Sequence, residues 1–343
     1  VTDPIDAVAP ANSVPPAVVP PAVIDEPPAR ATWSSRVPES AWCPAPWHAL
    51  LQDIVPAWDA PGADDATGES TDIVTESLSA GAWSVIAASR RGRLHAHRGD
   101  HREDAIAVRH IESGWCGAVA DGAGSAPWSR IGAAVATHTF CATFAAHTGP
   151  SRPRATAAAD ATFTTLRALA EAFGVAPRAL RTTLLAVAVV GDEILTLQVG
   201  DGGIALIGHD GVVLLPQAGD SGEFSGEVTH FLPDDGSRER LVASLHVSPA
   251  SAARAVILAS DGIEDPWYPF ARHAPLLVES IEHGVTDARA AAIHAANGVQ
   301  FAWRGDVRTA QDAAAALGDW MTFEKRGEND DRSLLFARLQ RDR

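Results

Sequence analysis

The chain has 343 residues, with 43 acidic against 27 basic side chains and a formal net charge of −16. That balance excludes the basic footprint through which nucleic acids and anionic membrane surfaces are bound by counterion release, and it favours cations or basic partners. Lys325 is the single lysine, so functions that need a dedicated lysine, such as a P-loop or a Schiff base, have one poorly placed candidate.

Cys43, Cys116 and Cys141 are odd in number and far apart, with no Cys-x-x-Cys pair. They read as reduced thiols, with neither a zinc nor a redox motif. No apolar run reaches the roughly 18–20 residues that span a bilayer, and the N-terminal residues lack the basic start and apolar stretch of a signal peptide. The expected location is cytoplasmic, with neither membrane nor nucleic acid as partner.

In chain order, residues 1–32 hold eight prolines and no aromatic residue, and predict an extended or disordered tail outside the fold. Residues 33–80 stay proline- and acid-rich but add Trp33, Trp42, Trp47 and Trp58. Two readings stand for them, an arm whose tryptophans cover core surface and a partner-docking segment. The regular domain is placed over 81–343. It opens with a strand at 83–88, followed by a basic segment in a loop to Arg102, in which two of His95, His97 and His101 are expected in solvent. Ala105–Ile111 and 115–120 have hairpin spacing.

After Ala120 the chain turns sharply through Asp121-Gly122-Ala123-Gly124-Ser125. Helical patterns follow over Ser129–Ala146, with Ile131, Val135 and Ala142 on one face, and over 157–173, with Ala161, Leu166, Leu169 and Phe173 on another. Ser125 reads as the cap of the first of these helices, since no Gly-x-Ser-x-Gly elbow surrounds it. A dinucleotide site at Gly122 and Gly124 lacks a third glycine, and Asp121 would repel the phosphate. Hairpins are expected at 182–190 with Glu193–Val199 and at 204–207 with 212–215. Residues 217–237 read as a flap. A buried strand at 254–260, helices at 269–283, 285–297 and 307–320, and a last strand at 333–339 complete the chain. Antiparallel strands with helices grouped apart predict an α+β sandwich and not a doubly wound sheet.

Asp-Gly is a common turn and means little alone. Here Glu103-Asp104, Asp121-Gly122, Asp201-Gly202, Asp261-Gly262 and Asp330-Asp331 all fall at predicted strand edges. Brought together, like charges about 4 Å apart repel by about 1–4 kcal/mol per pair, so such a site needs cations. Oxygen ligands without cysteine or a histidine-rich spacing select Mg²⁺ or Mn²⁺ over zinc. Two such ions about 3.5–4 Å apart can share a water, lower its pKa and present hydroxide to a phosphorus centre. The alternative on spacing alone is a set of unrelated solvent-facing turns.

These pieces resemble the metal-dependent serine/threonine phosphatases of the protein phosphatase 2C (PP2C, PPM) family, and more closely its divergent bacterial branch. The matching residues are Gly92-Arg93-Leu94-His95 leading to Glu103-Asp104-Ala105, Val119 through Ser125, and Val199-Gly200-Asp201-Gly202. They continue with Gly222-Glu223-Phe224 before Thr229-His230-Phe231-Leu232, then Ala259 through Asp265, and Asp330-Asp331-Arg332-Ser333. The resemblance implies a four-layer α-β-β-α sandwich with two central, mostly antiparallel sheets. It implies that Asp121 bridges two metals, with the Gly122 carbonyl as a further ligand. Asp261 and Asp330 would hold one ion, Glu103 and Asp104 would reach the other directly or through water, and Asp201 and Asp265 would help bind a third. The cofactor implied is Mn²⁺ or Mg²⁺, two ions and in bacterial relatives a third.

The implied activity is hydrolysis of phosphoserine and phosphothreonine in proteins by a metal-bridged hydroxide, with Asp121 and Asp261 central. A serine/threonine protein kinase whose phosphorylation is reversed would be a partner, docked through residues 33–80. Two departures stand out. Ala123 occupies the place of a histidine proposed in relatives to protonate the leaving group, which passes that task to metal-bound water or to His95 or His97. The phosphate-binding arginine's position falls near Gly99, leaving Arg91, Arg93, Arg98 and Arg102 as candidates. They motivate the alternative of a pseudophosphatase that binds metal or phosphoprotein without turnover.

Overall fold

The computed structural model describes Leu51 and residues 72–216, 230–283, 309–323 and 328–340. The expected helix at 285–297, Trp33, Trp42, Trp47, Trp58 and most of the expected flap lie outside these residues.

Alternation along the strands dictates the layering. In β2 (Trp83–Arg90) Val85 and Ala87 face one core while Ile86 and Ala88 face another, and all four are fully buried. The same holds in β5 (Leu184–Val190), with Leu185 and Val187 on one side and Leu184 and Ala186 on the other. In β11 (Arg332–Leu339) Leu335 and Ala337 oppose Leu334 and Phe336. Successive side chains of a strand point to opposite faces, so a strand apolar on both must be covered on both.

The covering is reciprocal. One sheet runs β1-β2-β11-β10-β7-β8, with β1 (Ile73–Ala80), β7 (Gly203–Ile207), β8 (Val213–Leu214) and β10 (Ala255–Ala259). The other runs β3-β4-β5-β6-β9, with β3 (Ala105–Ile111), β4 (Gly114–Ala120), β6 (Glu193–Val199) and β9 (His246–Pro249). Every pairing is antiparallel. Between the sheets lies a core that includes Val85, Trp115, Val119, Val187, Leu258 and Leu335. A helical layer then covers each outer face. α1 (Arg93–Arg98) is a short helix between β2 and β3. α2 (Ser129–Ala146) and α3 (Ser151–Ala172) bury Ile131, Phe140, Phe144, Leu166 and Leu169 against the five-stranded sheet, where Leu51 is also buried. α4 (Ser237–Ala243) adds Leu241 to that layer. α5 (Phe270–His283) and α6 (Ala310–Trp320) bury Leu277, Ile281, Leu317 and Trp320 against the six-stranded sheet. The fold is the expected α+β sandwich of two antiparallel sheets flanked by helices.

Four local differences have physical causes. Ile73–Ala80, read from sequence as part of the extension, pairs over its whole length with β2. It is an edge strand whose outward Thr75, Ser77 and Ser79 and inward Glu76 hide the apolar alternation of Val74, Leu78 and Ala80. α3 begins before the expected 157 and includes Pro153 in its first turn, where a missing N–H goes unused in any case. The basic segment after β2 is not a loop throughout, because 93–98 is helical, and only His97 of the three histidines is exposed while His95 and His101 are buried. Ser125 does not cap α2, whose first residue follows Trp128 with no side-chain cap.

Candidate metal centre

The register of the pairings puts the ends of β2, β4, β6 and β10 and the starts of β3, β5, β7 and β11 at one end of the sandwich. Each acidic turn leaves from there. Asp121 is anchored by its backbone. Its N–H donates to Thr183 Oγ1 at 2.9 Å, and its carbonyl accepts from Thr183 N–H at 2.8 Å and Thr182 Oγ1 at 2.9 Å. A Cβ at Gly122 would lie 2.8 Å from Ser129 and 2.9 Å from the Glu103 carbonyl, so glycine lets the Asp121 turn close on Glu103.

Asp261 follows Ser260, which exchanges hydrogen bonds with Ser333: Ser260 N–H to the Ser333 carbonyl and Ser333 N–H to Ser260 Oγ, both 2.9 Å. Gly262 packs so closely on β11 that a Cβ there would sit 2.0 Å from the Asp331 carbonyl. Asp201 lies between Gly200 and Gly202, with φ of 89° and 83°. Gln198 reaches under this turn, its carboxamide donating to the Gly200 carbonyl at 3.3 Å and the Gly202 carbonyl at 3.1 Å.

Asp331 ties the α1 segment to β11. It is 1% exposed; its Oδ1 accepts from Gly92 N–H and from His95 Nδ1 at 2.9 Å, and its Oδ2 from Glu103 N–H and, at 3.4 Å, Asp104 N–H. Arg102 holds the same stretch through its Nε–H to the Asp104 carbonyl at 3.1 Å and Nη1–H to the Ser89 carbonyl at 3.3 Å. Arg91 pairs with Asp72 at 2.8 Å and donates to the Asp100 carbonyl at 3.1 Å. Two of the four candidate phosphate arginines thus brace backbone, while Arg93 and Arg98 are exposed on α1.

The expected carboxylates influence one another strongly. Burial pushes the Asp104 carboxyl up to about 7, helped by the charges of Asp331 and Asp330, while hydrogen bonds from Asp121 and Ser333 pull the other way. Asp121 is driven well above the usual carboxylate range by burial and then by Asp104, Asp261 and Asp330. Burial and the charges of Asp201, Asp330, Asp104 and Asp265 do the same to Asp261. Burial raises Glu103 to about 8, against a lowering by His95 and with Asp331 adding to the rise. For His95, burial acts downward but the hydrogen bond and charge of Asp331, with Glu103 and Asp330, carry the imidazole up to about 9.

Glu103, Asp104, Asp121, Asp201, Asp261, Asp265 and Asp330 are therefore brought together, with Gly122 at the central turn. Glu103 Oε2 and Asp104 Oδ2 are buried and have no hydrogen-bond partner among the described residues. Orphaned carboxyl oxygens in a surround made mostly of carboxyl groups, with His95 at its edge, fit divalent cations. From sequence no role is assigned to Asp331, although it falls beside Asp330 at a predicted strand edge, nor to Gln198, Thr182 or Glu264, the last raised to about 7 by burial and then by Asp265. The doubled Asp330-Asp331 was the available sign for Asp331.

The family model described as Protein phosphatase 2C matches residues 91–296. The chain belongs to the protein phosphatase 2C family. A solved bacterial serine phosphatase is 15% identical with a TM-score of 0.52, over 76% of this chain and 98% of its own. The Staphylococcus aureus serine/threonine phosphatase Stp1 is 14% identical with a TM-score of 0.50, over 78% of this chain and 94% of its own. At these identities the likeness is one of fold. No curated protein matches the chain. Among the described residues no helix is long and apolar enough to cross a membrane.

Proposed function

We propose that this member of the protein phosphatase 2C family is a cytoplasmic, Mn²⁺- or Mg²⁺-dependent phosphatase acting on phosphoserine and phosphothreonine in proteins. The observation that supports this reading is that burial and one another's charges raise the Asp104, Asp121 and Asp261 carboxyls together, with buried oxygens of Glu103 and Asp104 lacking a hydrogen-bond partner among the described residues. Bound cations would supply a nucleophilic water and neutralise the phosphoryl oxygens. Asp121 would lie between two of them, its backbone fixed by Thr182 and Thr183. Asp261 and Asp330 would hold one, Glu103, Asp104 and the Gly122 carbonyl the other, and Asp201 and Asp265 a third. The test is hydrolysis of an aryl phosphate and of phosphopeptides, stimulated by Mn²⁺ and abolished in Asp121→Ala and Asp261→Ala. Activity unchanged by excess chelator would overturn it.

Ala123 favours a second reading. Its N–H donates to the Arg181 carbonyl at 3.0 Å, and it offers no side-chain acid beside Asp121. A scaffold that binds metal and phosphoprotein without turnover is distinguished by a metal-dependent rise in melting temperature together with phosphopeptides that bind and are not cleaved.

A further inference from the structure

Among the described residues the groups hydrogen-bonded to the Asp331 carboxylate are the N–H groups of Gly92, Glu103 and Asp104, all donors, and the ring of His95. A carboxylate can only accept, so His95 Nδ1 carries the hydrogen of their 2.9 Å bond. The other ring nitrogen, Nε2, then faces Glu103 Oε2 at 3.9 Å. This separation is too long for a hydrogen bond. Two ligands of one cation with bonds of about 2.0–2.2 Å can stand up to roughly 4 Å apart, so this separation is within reach of a shared cation at a wide ligand–metal–ligand angle. Among the described residues Glu103 Oε2 is buried with no hydrogen-bond partner, and His95, Asp330 and Asp331 each offer one atom within 4.8 Å of the others. An imidazole whose far N–H is held by a carboxylate is the outer arrangement that aims metal-binding histidines.

We propose that His95 Nε2 and Glu103 Oε2 ligate one cation together, and that Asp331 is the positioning residue that turns the imidazole toward it. The inference rests on the metal-dependent reading above and departs from the all-oxygen site expected from sequence. A nitrogen ligand shifts the preference of this position from Mg²⁺ toward transition metals, Mn²⁺ among them.

The test uses the full chain loaded with Mn²⁺ and pulsed electron paramagnetic resonance. The wild type is expected to show an imidazole ¹⁴N coupling that is replaced by ¹⁵N on selective labelling of histidine. His95→Gln should lose it while still binding Mn²⁺ elsewhere in the cleft, and its preference for Mn²⁺ over Mg²⁺ should fall about tenfold or more. Asp331→Asn should weaken Mn²⁺ binding about 10- to 100-fold, with the ¹⁴N coupling reduced. A Mn²⁺-loaded wild type with no histidine nitrogen coupling overturns the inference. If it still hydrolyses phosphoester, the proposed function stands without it, whereas a chain that binds no divalent metal overturns both. The wild-type measurement decides even where a variant fails to fold.

Discussion

Glu282, on the inner side of α5, is 2% exposed and lies 3.2 Å from Arg254 Nη1 and 3.9 Å from Arg338 Nη1. Asp104, at the acidic end of the sandwich, is 4% exposed, and the strongest charge acting on it is that of another carboxylate, Asp331. The first region buries an anion the way a structural site does, with guanidinium groups supplied by Arg254, just before β10, and Arg338 of β11. The second stacks Asp121, Asp261 and Asp330 around the same space and leaves oxygens unpaired. One arrangement is balanced by the chain's own guanidinium groups, and the other, on the proposed function, would be completed by a cation.

Substitutions that remove one carboxylate from each region separate the two. Asp121→Asn should lower Mn²⁺-stimulated hydrolysis by about a thousandfold or more. It should also raise the melting temperature of the metal-free protein, because each close like-charge pair costs about 1–4 kcal/mol. Glu282→Ala should do the reverse. It removes the buried carboxylate that faces Arg254 and Arg338, whose side chains are 18% and 16% exposed, and leaves Arg254 its 3.3 Å contact with Glu279; it should cost about 1–3 kcal/mol in urea denaturation with activity per folded molecule unchanged. A metal-free melting temperature that drops in both variants would mean that the acidic end is neutralised internally after all.

Acidity sharpens the contrast further. Glu103 and Asp104 sit at about 8 and about 7 in the folded chain, above the ordinary carboxylate values of the unfolded one. The folded, metal-free protein thus holds more protons than the unfolded chain across the interval between. Their contribution to stability is full below the unfolded values and is lost as pH rises through 7 and 8. On the proposed function Mn²⁺ would bind the deprotonated form, so its stabilisation should grow over the same interval, to about 2.7 kcal/mol at a hundredfold excess over Kd. Melting temperatures from pH 5 to 8.5, with chelator and with Mn²⁺, should diverge upward in pH; parallel curves would place the metal away from Glu103 and Asp104.

The layers and the acidic turns were readable because strands buried on both faces are continuous apolar runs, and because Gly122, Gly202 and Gly262 mark where each run must turn tightly. The supports of the site were not. Asp331 meets His95 from 236 positions away, and nothing local to either residue announces the pairing. β1 was hidden because an edge strand with Glu76 turned inward lacks the apolar signature of its neighbours. His95 looked like one of several basic-loop histidines until α1 lowered it beneath the surface.

Gln198 supplies the finest probe of the same contrast, because it places a carboxylate without neutralising it. It is 6% exposed, and its carboxamide holds the carbonyls on either side of Asp201 while leaving the acid's own charge untouched. Gln198→Leu would leave both carbonyls unpaired and should cost about 1–3 kcal/mol. Because Asp201 adjoins Asp261 and not Asp121 among the strongest charge contacts, the expected loss of hydrolysis is several-fold at limiting Mn²⁺ and is recovered at excess Mn²⁺. A loss as deep as that of Asp121→Asn, and not restored by metal, would make Asp201 part of the central group, and the turn that Gln198 braces would then be as essential as the one at Asp121.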